Sequence, residues 1–353
     1  MIDVETPALL LHLDVVERNL SRMAQRAKSL GVALRPHAKT HKCIELGRRQ
    51  VALGAVGLTV ATLAEAEAFI AGAITDLTWA FPLDPSHLPR VRRLAERVTL
   101  RVVVDDLATA KALAGTGLHV WLKVDCGYHR AGVDPGSPYA LDVARELGAE
   151  RGIVFDGLLS HSGHAYRATS REQSAAVADE ERRVMVWFAD LLREAGVPVR
   201  GVSVGSTPAM AAVRDLTGVT EARPGNYVFY DRTMVLIGCC GPEDVGVTVL
   251  ASVVSHQPGA THVVTNAGAL ALSKDPGPAH VGPHAFGAVR DHPQLTVASL
   301  SQEHGIIQAD EALLASVAVG DVLGVLPVHS CLTADLLRRY LTLEGDWIEC
   351  IKK

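Results

Sequence analysis

Residues 99–124 read TLRVVVDDLATAKALAGTGLHVWLKV, and the order of their parts decides the fold. Thr99-Leu100-Arg101-Val102-Val103-Val104 is an apolar, β-branched run of strand length, residues 106–114 carry helical periodicity, and residues 118–124 return to a strand-like run. Two strands joined through a helix are parallel, with a right-handed crossover. The unit recurs in both directions from here. Strands are predicted at 32–36, 55–60, 77–81, 99–104, 118–124, 153–159, 201–204 and 220–223, and helices at 14–30, 41–53, 63–72, 86–97, 106–114, 137–149, 171–195 and 208–216. Eight such repeats permit a closed (β/α)8 barrel, an α/β fold of the TIM type; an open doubly wound sheet is the alternative. After about residue 240 the texture changes to short β-prone runs at 246–256, 261–265, 295–300, 321–327 and 346–351, separated by Gly, Pro and Asp. A second, mostly β domain fits these runs, with 276–287 as a long loop inside it.

Composition narrows the partners. The chain has 353 residues, 48% of them hydrophobic, enough for a large core. A net charge of -5 with no basic stripe argues against nucleic acid. No apolar run approaches the roughly 18 residues of a membrane span, and the start, Met1-Ile2-Asp3-Val4-Glu5, lacks the basic-then-apolar order of a signal peptide. A cytoplasmic protein without a membrane partner is expected. Cys43, Cys126, Cys239, Cys240, Cys331 and Cys350 form no C-x-x-C pair, so reduced thiols are expected.

In a barrel the residues just after each strand line the active-site mouth. The first strand ends in Arg35-Pro36-His37-Ala38-Lys39-Thr40-His41-Lys42, where a partly desolvated lysine can act as nucleophile or base; on spacing alone, such a basic cluster is more often a solvated loop. The fifth ends in Lys123-Val124-Asp125-Cys126-Gly127-Tyr128-His129-Arg130, and the sixth in Ser160-His161-Ser162-Gly163-His164-Ala165-Tyr166. Gly205-Ser206-Thr207-Pro208 and Arg223-Pro224-Gly225-Asn226-Tyr227 follow the seventh and eighth, where many barrels hold phosphate; tight turns with helix caps are the bland alternative. Near the end, an extended Val328-His329-Ser330-Cys331 would put His329 and Cys331 on one face, as a nitrogen and sulfur pair for a metal, although a packed core fragment shows the same pattern.

Taken in order, Pro36-His37-Ala38-Lys39-Thr40-His41-Lys42, Gly205-Ser206-Thr207-Pro208, Arg223-Pro224-Gly225-Asn226-Tyr227, Glu303-His304-Gly305 and His329-Ser330-Cys331 resemble the D-serine dehydratase and D-threonine aldolase family of alanine-racemase-like, fold-type III pyridoxal 5′-phosphate (PLP) enzymes. The resemblance implies a barrel over 8-240, and a β domain from 1-7 and 241-353 that carries the metal site. It implies that Lys39 is the catalytic, Schiff-base lysine, and that Lys39, Arg130, His164, Tyr166, Ser206, Thr207, Gly225 and Asn226 bind the cofactor. Tyr166 would meet the pyridine nitrogen and Arg130 the phenolic oxygen. His329 and Cys331 match the family's metal pair, with zinc favoured and manganese, cobalt or magnesium as alternatives. Two subunits commonly pair, so a homodimer is expected.

Dehydratase-like members show His-Ser-Cys, as here, and aldolase-like members His-Cys-Asp, which favours β-elimination from a D-β-hydroxy amino acid such as D-serine or 3-hydroxy-D-aspartate. Retro-aldol cleavage at the same site is the alternative; a non-catalytic PLP-binding protein is the alternative of another class. Val328 departs from the asparagine that often precedes the metal histidine.

Overall fold

The computed structural model describes residues 4–149, 151–282 and 284–351. Its contacts divide the chain into two compact units. The first, Ser21–Lys39 with Ile44–Gly225, carries eight parallel strands: β1 (Ala33–Leu34), β2 (Leu58–Val60), β3 (Asp76–Pro82), β4 (Thr99–Val104), β5 (His119–Lys123), β6 (Val154–Leu159), β7 (Gly201–Val204) and β8 (Glu221–Ala222). The order is β1-β8-β7-β6-β5-β4-β3-β2, in registers such as Val102 opposite Val120 and Val103 opposite Trp121. β1 and β2 then meet through a parallel bridge between His37 and Thr59, with Thr59 N–H donating to Pro36 O and Ala38 N–H to Thr59 O, both at 2.8 Å. That closure gives the barrel and excludes the open sheet.

The punctuation of the barrel is local chemistry. Thr62, Asp106, Ser137, Ser170 and Ser206 each cap the helix that follows by accepting a first-turn N–H, an interaction worth about 1 kcal/mol apiece. Strand residues such as Leu58, Leu77, Val102, Val120, Leu122, Leu158 and Val202 are fully buried. Parallel strands covered on both faces read as continuous apolar runs for this reason. Arg35 does not face the mouth with its neighbours in sequence. Its guanidinium is buried against Glu221, at 2.6 Å, and Asp76, so it belongs to a polar network within the barrel.

The second unit comprises the residues up to Leu20, Thr40–Cys43 and the chain from Asn226 on. Its nine strands run in the order His262–Thr265, Gly305–Gln308, Thr296–Leu300, Gly287–Val289, Val322–Pro327, Val247–Ser255, Ala8–Leu11, Arg339–Leu341 and Trp347–Glu349, and His262–Thr265 also pairs with Val247–Ser255, closing a β-barrel. The division differs from the expected 8-240 boundary. Ala8–Leu11 pairs antiparallel with Val247–Leu250, and residues 226–240 and Thr40–Cys43 lie with the β unit. Within the segment 1-7, residues 1–3 lie outside the described ones. No helix among the described residues is long and apolar enough to cross a membrane.

Candidate active site

Lys39 stands just beyond β1, in a segment held from both sides. His37 N–H donates to Pro224 O at 3.0 Å, and Ala38 N–H donates across to β2. Its cationic neighbours in the first unit define a positively charged mouth. The pKa of His37 is pushed well below the usual imidazole value, by burial first and then by the charges of Lys39 and of its other basic neighbours, His161 and Arg223. His161 is lowered in the same way, by burial and then by Lys39 and Lys123. Both imidazoles are therefore neutral. His161 Nδ1 lies 3.0 Å from Gly205 O; a carbonyl only accepts, so Nδ1 carries the proton and Nε2 is the acceptor nitrogen.

Lys123 ends β5 at 6% exposure, and burial, followed by the Arg223 charge, brings its pKa down to about 7. Arg223 donates to Ser203 Oγ and Ser160 O. Arg130 lies with its guanidinium 4.9 Å over the Tyr128 ring, and that ring stacks on His164 at 6.2 Å. The stack explains Gly163, where an added Cβ would come within 2.4 Å of the Tyr128 ring. His164 Nδ1 is buried without a hydrogen-bond partner among the described residues, and burial lowers the His164 pKa. Tyr166 lies in the short 3-10 turn Gly163–Arg167.

After β7, Gly205 takes φ +115°, a conformation that side chains rarely adopt, and a Cβ there would stand 3.3 Å from Arg223 N. Ser206 and Thr207 follow, both buried. Gly225 closes the matching segment after β8 and is buried. The Asn226 side-chain amide donates to Asp231 Oδ2 at 2.7 Å and Ser330 Oγ at 3.1 Å in the β unit.

In the β unit, His329 and Cys331 come together by a different local geometry from the one expected. The chain is not extended through both residues. His329 is extended, with φ −135° and ψ 93°, but it precedes the helix Ser330–Leu337, whose first turn holds Cys331. His329 Nδ1 donates to Asp275 Oδ2 at 2.9 Å. Burial works against charge on His329, but Asp275 and Cys331 outweigh it and raise its pKa to about 11. Burial likewise opposes the Cys331 thiolate, and the hydrogen bonds from His329 and Thr40 overcome it, so the thiol is more acidic than usual. Cys331 Sγ lies 3.3 Å from Thr40 Oγ1 and 3.8 Å from Asn226 Nδ2. Glu303, His304, Gln302 and His284 are exposed.

Asp275, Tyr128 and Glu181 were given no role by the sequence. Glu181 alone left a signal, as an acid within the buried stripe Ser174, Ala178, Glu181, Met185 and Phe188 of the helix Arg171–Glu194.

Comparison with known proteins agrees with this geometry along the whole chain. Residues 11–233 match the alanine racemase N-terminal domain, and residues 246–343 the putative serine dehydratase domain. The chain is 39% identical to D-threo-3-hydroxyaspartate dehydratase of Delftia sp. (strain HT23), over 98% of this chain and 96% of that protein. It is 34% identical to D-serine dehydratase of Dictyostelium discoideum, over 98% and 94%, and 33% identical to D-threonine aldolase of Arthrobacter sp., over 92% and 86%. A solved structure of D-threo-3-hydroxyaspartate dehydratase, a cysteine-to-alanine variant in the metal-free form, superposes with a TM-score of 0.94 at 36% identity, covering 100% of this chain and 99% of that one. With a closed parallel barrel, a separate β-barrel and full-length similarity to dehydratases and aldolases, the chain belongs to the alanine-racemase-like, fold-type III PLP lyases of the D-serine dehydratase and D-threonine aldolase family.

Proposed function

We propose that this protein eliminates water from a D-β-hydroxy amino acid, D-serine or 3-hydroxy-D-aspartate, to an enamine that takes up water again to give a 2-oxo acid and ammonia, with PLP on Lys39 and a divalent metal at His329 and Cys331. The observation that carries the reading is the mouth itself: Lys39 is flanked by two neutral histidines and by Lys123 and Arg223, which suits a doubly charged phosphate and a carboxylate substrate. The residues fit the cofactor in detail. Gly205 leaves backbone space that a Cβ would narrow, Ser206 and Thr207 follow it, and His164 Nδ1 lacks, among the described residues, a partner that a bound ligand could supply.

Bound PLP supplies an electron sink that acidifies the substrate's α-proton. The work of the chain's own residues follows. Ser206, Thr207, Gly225 and the Asn226 backbone would hold the phosphate, and Tyr166 would meet the ring nitrogen. Arg130, braced on Tyr128, would serve the phenolic oxygen. With the cofactor bound, the Lys39 amine would hold its aldehyde and would take the α-proton from one face, which would account for D selectivity. His161, with Nδ1 committed to Gly205 O, offers Nε2 as a proton acceptor.

His329 and Cys331 fit a metal as a soft nitrogen and sulfur pair that exchanges its protons for a cation, and the metal would supply Lewis acidity to the departing hydroxyl. Asp275 fixes the His329 tautomer. Asp275→Asn should weaken metal affinity about 10- to 100-fold, read by competition with a chelator, while PLP absorbance is unchanged; unaltered metal affinity would remove Asp275 from this role.

Loaded protein incubated with D-serine, D-threonine, D-threo-3-hydroxyaspartate and their L forms should yield 2-oxo acid from D substrates alone. Turnover of L substrates at equal rate contradicts the single-base arrangement. Retro-aldol cleavage is the second reading, supported by the similarity to D-threonine aldolase. A cytoplasmic homodimer is part of the proposal, and a one-chain mass by light scattering would remove the dimer.

The neutral histidines of the mouth set an acid limit. The pKa values of His37 and His161 are depressed in the folded protein, so folding forces both to stay neutral. This costs nothing above the unfolded value near 6.5 and grows as pH falls below it, at about 1 kcal/mol per group for each pH unit down to the folded pKa. His329, raised to about 11, is charged in both states below the unfolded value, so its stabilisation is already complete there and adds little slope below pH 6.5. The pKa of His12 is depressed as well, to about 4, and that of His164 is lowered, so the Tm of cofactor-free protein should fall between pH 6.5 and 5.5, measured by scanning calorimetry; a Tm that rises over this interval contradicts the assignment.

A further inference from the structure

Glu181 is 1% exposed on the inward stripe of the helix Arg171–Glu194, where its neighbours are apolar or small. Burying a carboxylate is costly unless donors surround it. Here both oxygens are met. Oε1 accepts from Ser160 Oγ at 2.7 Å, Gly205 N at 3.3 Å and Cys126 Sγ at 3.8 Å, and Oε2 accepts from Ser162 Oγ at 2.7 Å. Every donor belongs to a residue just past the end of β5, β6 or β7, so one carboxylate ties three segments of the barrel rim together. Such a device is a poor way to gain stability, because apolar packing of the same volume does as well. It is a good way to fix positions. Gly205, one of its donors, carries the left-handed turn that leads into Ser206, and the Ser162 hydroxyl that donates to Glu181 lies 3.4 Å from Ser206 Oγ. The same negative charge also acts on Lys123 and Arg223.

We propose that Glu181 is a positioning residue for the phosphate end of the cofactor, fixing the Gly205-Ser206 segment through Gly205 N–H and Ser162. This rests on the reading that Ser206 and Thr207 hold a phosphate.

The test compares PLP with pyridoxal, which has the same aldehyde and ring but no phosphate, by absorbance titration of cofactor-free protein. Glu181→Gln should raise the PLP concentration for half-saturation about tenfold, the scale of one hydrogen bond to a charged group. Half-saturation by pyridoxal should move less than about twofold. Ser162→Ala, which removes one donor and leaves the carboxylate in place, should shift PLP in the same direction by less, and serves if Glu181→Gln does not fold. Equal weakening of both aldehydes would make Glu181 a general structural residue and overturn the proposal, as would no change for either. Failure of the unaltered protein to bind PLP or pyridoxal would overturn the cofactor reading and this proposal with it, whereas normal pyridoxal binding without any preference for PLP would overturn the phosphate reading alone.

Discussion

Lys39→Ala is expected to abolish the visible absorbance of the bound cofactor and to lower turnover by about three orders of magnitude or more, because both the covalent attachment and the α-proton base are lost at once. No other residue of the mouth replaces it in kind. Lys123 is the nearest in chemistry, with a pKa of about 7, but it is buried at the end of β5 and Arg223 opposes further charge beside it. The pairing of His37 and Ala38 with the neighbouring segments is backbone to backbone, so Lys39→Ala should fold and its Tm should match the parent. Retained colour and turnover would refute the role of Lys39.

The second large effect is expected at the metal pair. Cys331→Ala or His329→Ala should lower elimination by about three orders of magnitude, since a hydroxyl is a poor leaving group without Lewis-acid help. Cofactor absorbance should persist in both variants, because Lys39 itself is unchanged in them. Chelation of the parent protein should reproduce the variants, and added zinc should restore the parent but not them. Elimination at the parental rate in either variant would remove the metal from the account.

Much of this architecture was legible in the sequence, and the physical reasons are specific. All eight barrel strands were readable because strands covered on both faces form apolar runs such as Leu118 to Leu122, and the capping residues Thr62, Asp106, Ser137 and Ser170 mark where helices begin. Ala8–Leu11 was misplaced because four apolar residues before a helix look the same in either unit; only pairing with Val247–Leu250 decides. Gly287–Val289, Gly305–Gln308 and Arg339–Leu341 are too short for periodicity to reveal.

At the site, strand ends pointed to Lys39 and to the segments after β7 and β8. The approach of His329 and Cys331 was anticipated but its backbone was not, since the helix Ser330–Leu337 starts between them. The contacts of Asp275 and Glu181 were silent for another reason. Asp275 meets His329 across 54 residues, and Gly205 meets Glu181 across 24, so neither contact leaves a spacing pattern.

The most direct test of the central claim is to incubate PLP-loaded protein with D-threo-3-hydroxyaspartate and D-serine and to assay ammonia and glycine in parallel, with and without a chelator. The account predicts ammonia matched by 2-oxo acid, lost on chelation and restored by a divalent metal. Glycine in place of ammonia would contradict it and assign the same site to carbon-carbon cleavage.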